Sequence, residues 1–189
     1  SFIMVTLGTG VGGGIIYKNK IYRGTTGSAG ELGHVIIDYH GPLSNSNTRG
    51  GIEAYLGQRF LSRFAADLIN QQPDNPLYKE FHKDFDLLEP VDLTRAANKG
   101  NQLAIDILRK SGEKLGYAIV NYVHILDIRK IVVRGGGGKA GKWLLEPAKK
   151  TAEKLLMPPF LEGFDIIYES LGNEAALLGA ASLAFEELS

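Results

Sequence analysis

Cysteine is absent from the 189 residues, which excludes disulfides and every thiolate metal site. A reducing compartment is compatible with that composition without being required by it. Net charge is absent as well: 21 basic and 21 acidic residues cancel, so no broad positive field exists to draw in nucleic acid. No apolar run approaches the roughly 20 residues that cross a bilayer, and the start lacks the charged, then apolar, then small-residue order of a signal peptide. Short internal repeats and low-complexity tracts are missing too. These absences predict a cytoplasmic protein whose present segment binds neither nucleic acid nor membrane. What is there, 44% hydrophobic and 22% charged residues, describes one ordinary domain over residues 1–189 with a sizeable core.

The ends differ. Ser1 leads at once into the apolar run Phe2-Ile3-Met4-Val5, a pattern that predicts a longer protein cut ahead of it. Asn173 through Leu188 instead carries a complete helix pattern, with an apolar stripe at Ala176, Leu177, Ala180, Leu183 and Ala184, and predicts a natural C-terminus.

Between them, strand signals fall at Phe2–Leu7, at Gly13–Lys18 with Ile21–Arg23 after a Lys18-Asn19-Lys20 turn, and at His34–Asp38, which together predict an antiparallel meander. Tyr55, Leu56, Phe60, Phe64, Leu68 and Ile69 recur at helical spacing and predict one amphipathic helix over Ile52–Gln71, closed by Pro73 and Pro76. Short helical turns are expected from Gln72 to Pro90, then a helix Leu93–Lys99 capped by Asp92. Gly100-Asn101 breaks the pattern, and Gln102–Leu126 reads as a buried helix. The remaining order is a β-branched strand at Lys130–Arg134, a helix at Lys142–Leu156, a strand at Asp165–Glu169 and the last helix. Three strands, helices, strand, helix, strand, helix is the order of a ribonuclease-H-like α/β domain, a mixed five-stranded sheet with helices on both faces.

Glycine is plentiful, at 24 residues, and two clusters follow strands. Leu7-Gly8-Thr9-Gly10 is open to two readings, a tight hairpin turn or a turn whose amides and threonine hydroxyl hold phosphate. Gly135-Gly136-Gly137-Gly138, between a strand and a helix, is equally open between a close-packing turn and a nucleotide contact. Both together in this element order favour phosphate, because the architecture sets the two turns on one edge of the sheet. A third cluster, Gly27-Ser28-Ala29-Gly30-Glu31-Leu32-Gly33-His34, offers a carboxylate and an imidazole to vicinal hydroxyls, which suits a sugar. Glu31 capping amides and His34 sitting as a satisfied interior group is the competing reading, and Glu53 at a helix start is a dipole residue unless it faces the same pocket.

Leu-Gly-Thr-Gly-Val-Gly-Gly-Gly at Leu7–Gly14, Ala-Gly-Glu-Leu-Gly-His at Ala29–His34, the Asn121 to Asp127 pattern with Val132-Val133 and the Gly135–Gly138 turn, and Leu-Leu-Gly-Ala-Ala at Leu177–Ala181 together resemble the ROK family of sugar kinases and sugar-responsive repressors, bacterial glucokinases included. The resemblance covers nearly the whole chain. It implies the C-terminal lobe of a two-lobed actin/hexokinase-like fold, phosphorylation of a hexose hydroxyl with ATP and Mg²⁺, and homodimers. It implies phosphate contacts at Gly8, Thr9 and Gly10, adenosine-side contacts at Gly135, Gly136 and Gly137, and sugar contacts at Glu31, His34 and Glu53. The alternative within the same family is the effector-binding domain of a transcriptional regulator.

Two departures qualify what the resemblance implies. Family members hold a structural zinc with that histidine and three cysteines, and here Ser44, Ser46 and Gly51 stand at the cysteine positions. No zinc site of the usual N/S type can form, so the loop Asp38–Gly50 is expected to rely on turns and hydrogen bonds. The family's catalytic aspartate, in an Asn-Asp motif ahead of the Leu-Gly-Thr-Gly turn, has no counterpart in these residues. The chain alone is therefore expected to be inactive, with no catalytic residue of its own.

Overall fold

The computed structural model describes residues 1–136, 140–168 and 174–188. Five strands form one sheet in the order β3-β2-β1-β4-β5: β1 is Phe2–Leu7, β2 Val11–Tyr17, β3 Lys20–Ile21, β4 Lys130–Arg134 and β5 Asp165–Tyr168. β1 pairs antiparallel with β2 (Val5 opposite Gly13) and parallel with β4 (Thr6 opposite Arg134); β4 pairs parallel with β5. Mixed pairing follows from the connections: Gly8-Thr9-Gly10 allows a hairpin between β1 and β2, whereas β1 and β4 are joined by a long helical excursion. The expected ribonuclease-H-like sheet is present.

The third strand is not where the sequence pattern places it. His34–Asp38 forms no strand; Leu32–His34 is a 3-10 turn and Ile36 makes a single bridge to Gly51. The sheet edge is instead the two-residue β3, bonded to β2 through Ile16 opposite Ile21. Val35, Ile36 and Ile37 have strand-forming side chains, but no neighbouring strand offers a ladder, and a ladder rather than propensity makes a strand.

Seven helices fill the described residues: α1 Glu53–Leu56, α2 Gln58–Asn70, α3 Pro76–Phe81, α4 Pro90–Asn98, α5 Gln102–Leu126, α6 Lys142–Leu155 and α7 Glu174–Leu188. The single helix expected over Ile52–Gln71 is broken at Gly57, whose ψ of 138° is extended. α4 also starts earlier than expected. Pro90 occupies its first turn, where a missing N–H costs nothing, and Asp92 caps from the third helical position rather than from the N-cap, accepting from the Glu89 amide at 3.0 Å in a capping box. α5 matches its expected span. Asn101 accepts from the Ala104 amide at 3.1 Å and donates to Asn75, the N-cap of α3, at 2.9 Å.

Ile3, Val5 and Leu7 of β1, Ile131 and Val133 of β4, and Ile107, Leu115 and Ile119 of α5 are at most 1% exposed and belong to one core. Burying such a side chain contributes about 1.5–3 kcal/mol, more than the helix or strand preference of any one residue, so packing decides the architecture. On the other side of β1, Phe2, Met4 and Thr6 remain partly exposed. Leu177, Leu178 and Phe185 of α7 are 57–73% exposed. Among the described residues no helix is long and apolar enough to cross a membrane.

Candidate functional site

Parallel pairing of β1 with β4 carries both strands to the same edge of the sheet, and the residues that follow them meet there. Thr6 lies opposite Arg134, so Leu7-Gly8 and Gly135-Gly136 leave the sheet side by side. Gly135 has φ of +96° and its backbone presses on Leu7, where a Cβ would strike the Leu7 carbonyl. Gly8 and Gly136 then line one cleft of 190 Å³ together with Leu56, Gln58, Glu89, Pro90 and Val91. A second hollow of 420 Å³ shares Gln58 and Glu89 as wall, so the two adjoin, at a combined size that suits a nucleotide. Gly137 and Gly138 lie outside the described residues.

The break at Gly57 shapes the glycine turn. The Gln58 amide, first of α2, donates to the Gly8 carbonyl at 3.0 Å, while within the turn the Gly8 amide donates to Gly10 at 3.0 Å. Thr9 is exposed at the tip. Across the cleft, Gln58 Nε2 donates to Glu89 Oε1 at 3.3 Å. Motif reading missed Gln58, Glu89 and Val91 because they belong to no glycine cluster; Gly57, interrupting a helical pattern, was the available signal.

Glu53 stands between this turn and the expected sugar residues. Its Oε2 accepts from the Val11 amide at 3.2 Å and occupies the space where a side chain on Gly10 would lie. The Val11 carbonyl meanwhile packs against Gly33, at a distance only glycine tolerates. Val11 is thus the shared neighbour of Glu53 and of the 3-10 turn that carries Glu31 and His34. Glu53 is neither a plain helix-dipole residue nor a free side chain. The turn is fixed from behind by Tyr122 of α5, whose buried hydroxyl donates to the Leu32 carbonyl at 2.7 Å; burial pushes its pKa up.

His34 is the last residue of that turn rather than a strand residue. Its Nε2 lies 3.5 Å from Glu31 Oε2, and its Nδ1 lies 3.1 Å from Ser46 Oγ. Glu31 is well exposed, at 73% of its side chain, and does not cap amides. Ser46 Oγ is in turn 2.8 Å from Ser44 Oγ, which accepts from the Thr48 amide at 3.3 Å. Gly51, at the third position where the resemblance calls for cysteine, packs beside His34 and Thr48. These positions gather around His34, but two neutral hydroxyls and a glycine give zinc no thiolate, so the residues present do not fit a zinc of the N/S type. Among the described residues no three His, Cys, Asp or Glu side chains form a metal-binding group.

Hydrogen bonds hold the loop instead. The Gly41 amide donates to Asp38 at 2.9 Å, Gly50 to Pro42 at 2.8 Å, and Ser44 to Thr48 at 2.9 Å. Tyr55 donates to Asp38 Oδ2 at 2.9 Å, and Lys114 of α5 lies 4.6 Å from the Tyr55 ring centre. The Tyr55 hydrogen bond, helped by the His40 amide, holds the Asp38 carboxyl below its usual value, and desolvation with Asp38 beside it pushes the Tyr55 phenol up to about 12.

Known proteins share this frame. The model of the ROK family matches residues 1–187. A glucokinase of Thermotoga maritima is 30% identical over 186 residues, which are 98% of this chain and 58% of the relative. A xylose repressor of Bacillus spizizenii is 24% identical over 186 residues, with 98% and 44% covered. Among solved structures, a ROK family glucokinase from Streptomyces griseus in complex with glucose and AMPPNP superposes with a TM-score of 0.84 at 32% identity, covering 96% of this chain and 59% of that one. The chain spans little more than half the length of the glucokinases it matches. With the glycine turns on one sheet edge and a family match over nearly every residue, this chain belongs to the ROK family.

Proposed function

We propose that the chain is the nucleotide- and sugar-binding part of an ATP-dependent hexose kinase of the glucokinase type. The carrying observation is the single cleft lined by both Gly8 and Gly136. The Gly8-Thr9-Gly10 turn takes the phosphates, through the Thr9 hydroxyl and the amides not spent within the turn, and Mg²⁺ would neutralise the phosphate charge. Gly135, Gly136 and Gly137 take the adenosine side. Glu31, His34 and Glu53 take hexose hydroxyls; support comes from their common dependence on Val11 and from the glucose and AMPPNP bound by the S. griseus relative.

Phosphoryl transfer to a sugar hydroxyl needs a carboxylate to accept the hydroxyl proton. The family's Asn-Asp motif ahead of Leu7 has no match here, so the 189-residue chain binds its ligands without turning them over. Calorimetry with ATP and with glucose is expected to show heat for each. A coupled assay with ATP, Mg²⁺ and glucose is expected to show no turnover above a Thr9→Ala control, and measurable turnover would contradict this assignment.

The repressor relative favours a second reading, an effector-binding domain of a transcriptional regulator in which the same sugar site acts as a sensor. The sequence encoded ahead of Ser1 separates the two. A Asp-x-Gly-x-Thr phosphate loop means kinase and a helix-turn-helix means regulator. In either case we assign the protein to the cytoplasm and to a homodimer, the latter supported by the exposed Leu177, Leu178 and Phe185.

A further inference from the structure

We infer that Ser46 is the positioning residue for His34, the end of a directed hydroxyl relay that fixes the imidazole with its proton on Nε2. The direction is set at the carboxylate end, where Glu31 can only accept from His34 Nε2, and the remaining contacts accommodate it. The Thr48 amide can only donate, so Ser44 Oγ accepts from it at 3.3 Å. The Ser44 proton is then available to Ser46 Oγ at 2.8 Å, a contact in which either hydroxyl can be the donor. With Nε2 protonated toward Glu31, His34 Nδ1 is an acceptor and takes the Ser46 proton at 3.1 Å. Thr48 Oγ1 is a competing acceptor for the Ser46 proton, but at 3.4 Å it is the longer contact. With Nδ1 accepting, a neutral imidazole carries its proton on Nε2, 3.5 Å from a carboxylate that can only accept.

The Glu31 end of the relay therefore demands this tautomer, and its Thr48 end is compatible with it. Its anchor is firm: Ser44 is buried, at 6% exposure, and its own amide is bonded to the Thr48 carbonyl at 2.9 Å. Ser46 is exposed, so its contacts with Ser44 and His34 hold it where solvent otherwise would.

The consequence concerns recognition at the site proposed above and rests on that reading. Glu31 offers only acceptors and His34 offers a donor, so the pair grips two adjacent hydroxyls of opposite role, one giving its proton to Glu31 and one receiving from Nε2. An imidazole free to switch tautomer would lose that polarity. Ser46 touches no sugar in this scheme and acts through His34 alone.

The test is the nitrogen spectrum of ¹⁵N-histidine-labelled protein, ligand-free, at a pH well above the ordinary imidazole range. Wild-type His34 is expected to show one tautomer, with an unprotonated Nδ1 accepting a hydrogen bond. Ser46→Ala is expected to shift the tautomer ratio roughly 5-fold toward Nδ1–H, the worth of about one hydrogen bond, and Ser46→Thr to restore it. A protonated Nδ1 in the wild type, or a ratio unchanged in Ser46→Ala, overturns the relay. Adding glucose then separates the two claims. Movement of the Nε2 resonance, with affinity weakened by Ser46→Ala and recovered by Ser46→Thr, supports both. The expected tautomer with no response to saturating glucose sustains the relay and overturns the hexose site.

Discussion

Gly135→Ala tests the meeting of the two glycine turns without requiring any ligand. Alanine at φ +96° enters backbone space that costs an L residue about 1–2 kcal/mol. The new methyl also strikes backbone rather than a yielding side chain: the Leu7 carbonyl, its carbon 2.9 Å away and the Leu7 nitrogen 3.2 Å away. Relief requires β1 and β4 to part locally, at about 1–3 kcal/mol for an overpacked site. Restriction of the unfolded chain returns about 0.4–1 kcal/mol. The net is a loss centred on about 3 kcal/mol, which for a chain of this size lowers the melting temperature by roughly 6–12 °C. Gly136→Ala is the control, since no atom lies within 4 Å of its Cβ position; it is expected to melt close to wild type. Thermal unfolding followed by circular dichroism compares them. A Gly135→Ala protein melting within about 2 °C of wild type would refute the placement of Gly135 against Leu7.

Gly10→Ala pushes its methyl onto Glu53 Oε2 and breaks the Val11 contact, so glucose affinity measured by calorimetry is expected to fall about 10-fold or more, the worth of one charged hydrogen bond. Gly8→Ala, with open space around its Cβ, is expected to leave glucose affinity unchanged. Tyr122→Phe strands the buried Leu32 carbonyl and is expected to cost about 1–3 kcal/mol in denaturant unfolding, with faster amide exchange at Gly33 and His34. The loop 38–50 is expected to loosen at both pH extremes. Asp38 has its native pKa depressed, so its contribution is present above the ordinary 3.8 and is lost as pH falls through the lower native value. The Tyr55 phenol is raised, so its contribution is full below 10.0 and lost as pH climbs through about 12. Amide exchange at Gly41, Ser44 and Gly50 reads both limits.

What the sequence disclosed depended on range. Periodicity located α5 and β4 to the residue, because Ile107, Leu115, Ile119 and the β-branched run at Ile131–Val133 are buried by the elements' own regular spacing. The same reasoning misplaced His34–Asp38, whose fate was set by Gly51 and Ile52, more than a dozen residues away: Ile52 donates to Val35 at 3.1 Å and Ile37 to Gly50 at 2.9 Å, which hold a loop and not a ladder. Glycine motifs marked the two turns, since at Gly135 the approach to the Leu7 backbone, and at Gly10 the approach to Glu53, leave no room for a side chain. They could not mark Gln58 or Glu89, which reach the cleft only because α2 begins at a helix break and α4 begins at a proline. The serines around His34 were visible as missing cysteines, but the link of their hydroxyls to one another and to the imidazole depends on how the loop folds back on the turn.

The claim that both glycine turns grip one nucleotide is tested most directly by amide chemical-shift mapping with AMPPNP and Mg²⁺ on the 189-residue chain. The account predicts that Gly8, Gly10, Gln58, Val91 and Gly136 shift together along one saturable curve. Saturating nucleotide that moves residues of only one turn, or none of these five, would contradict it.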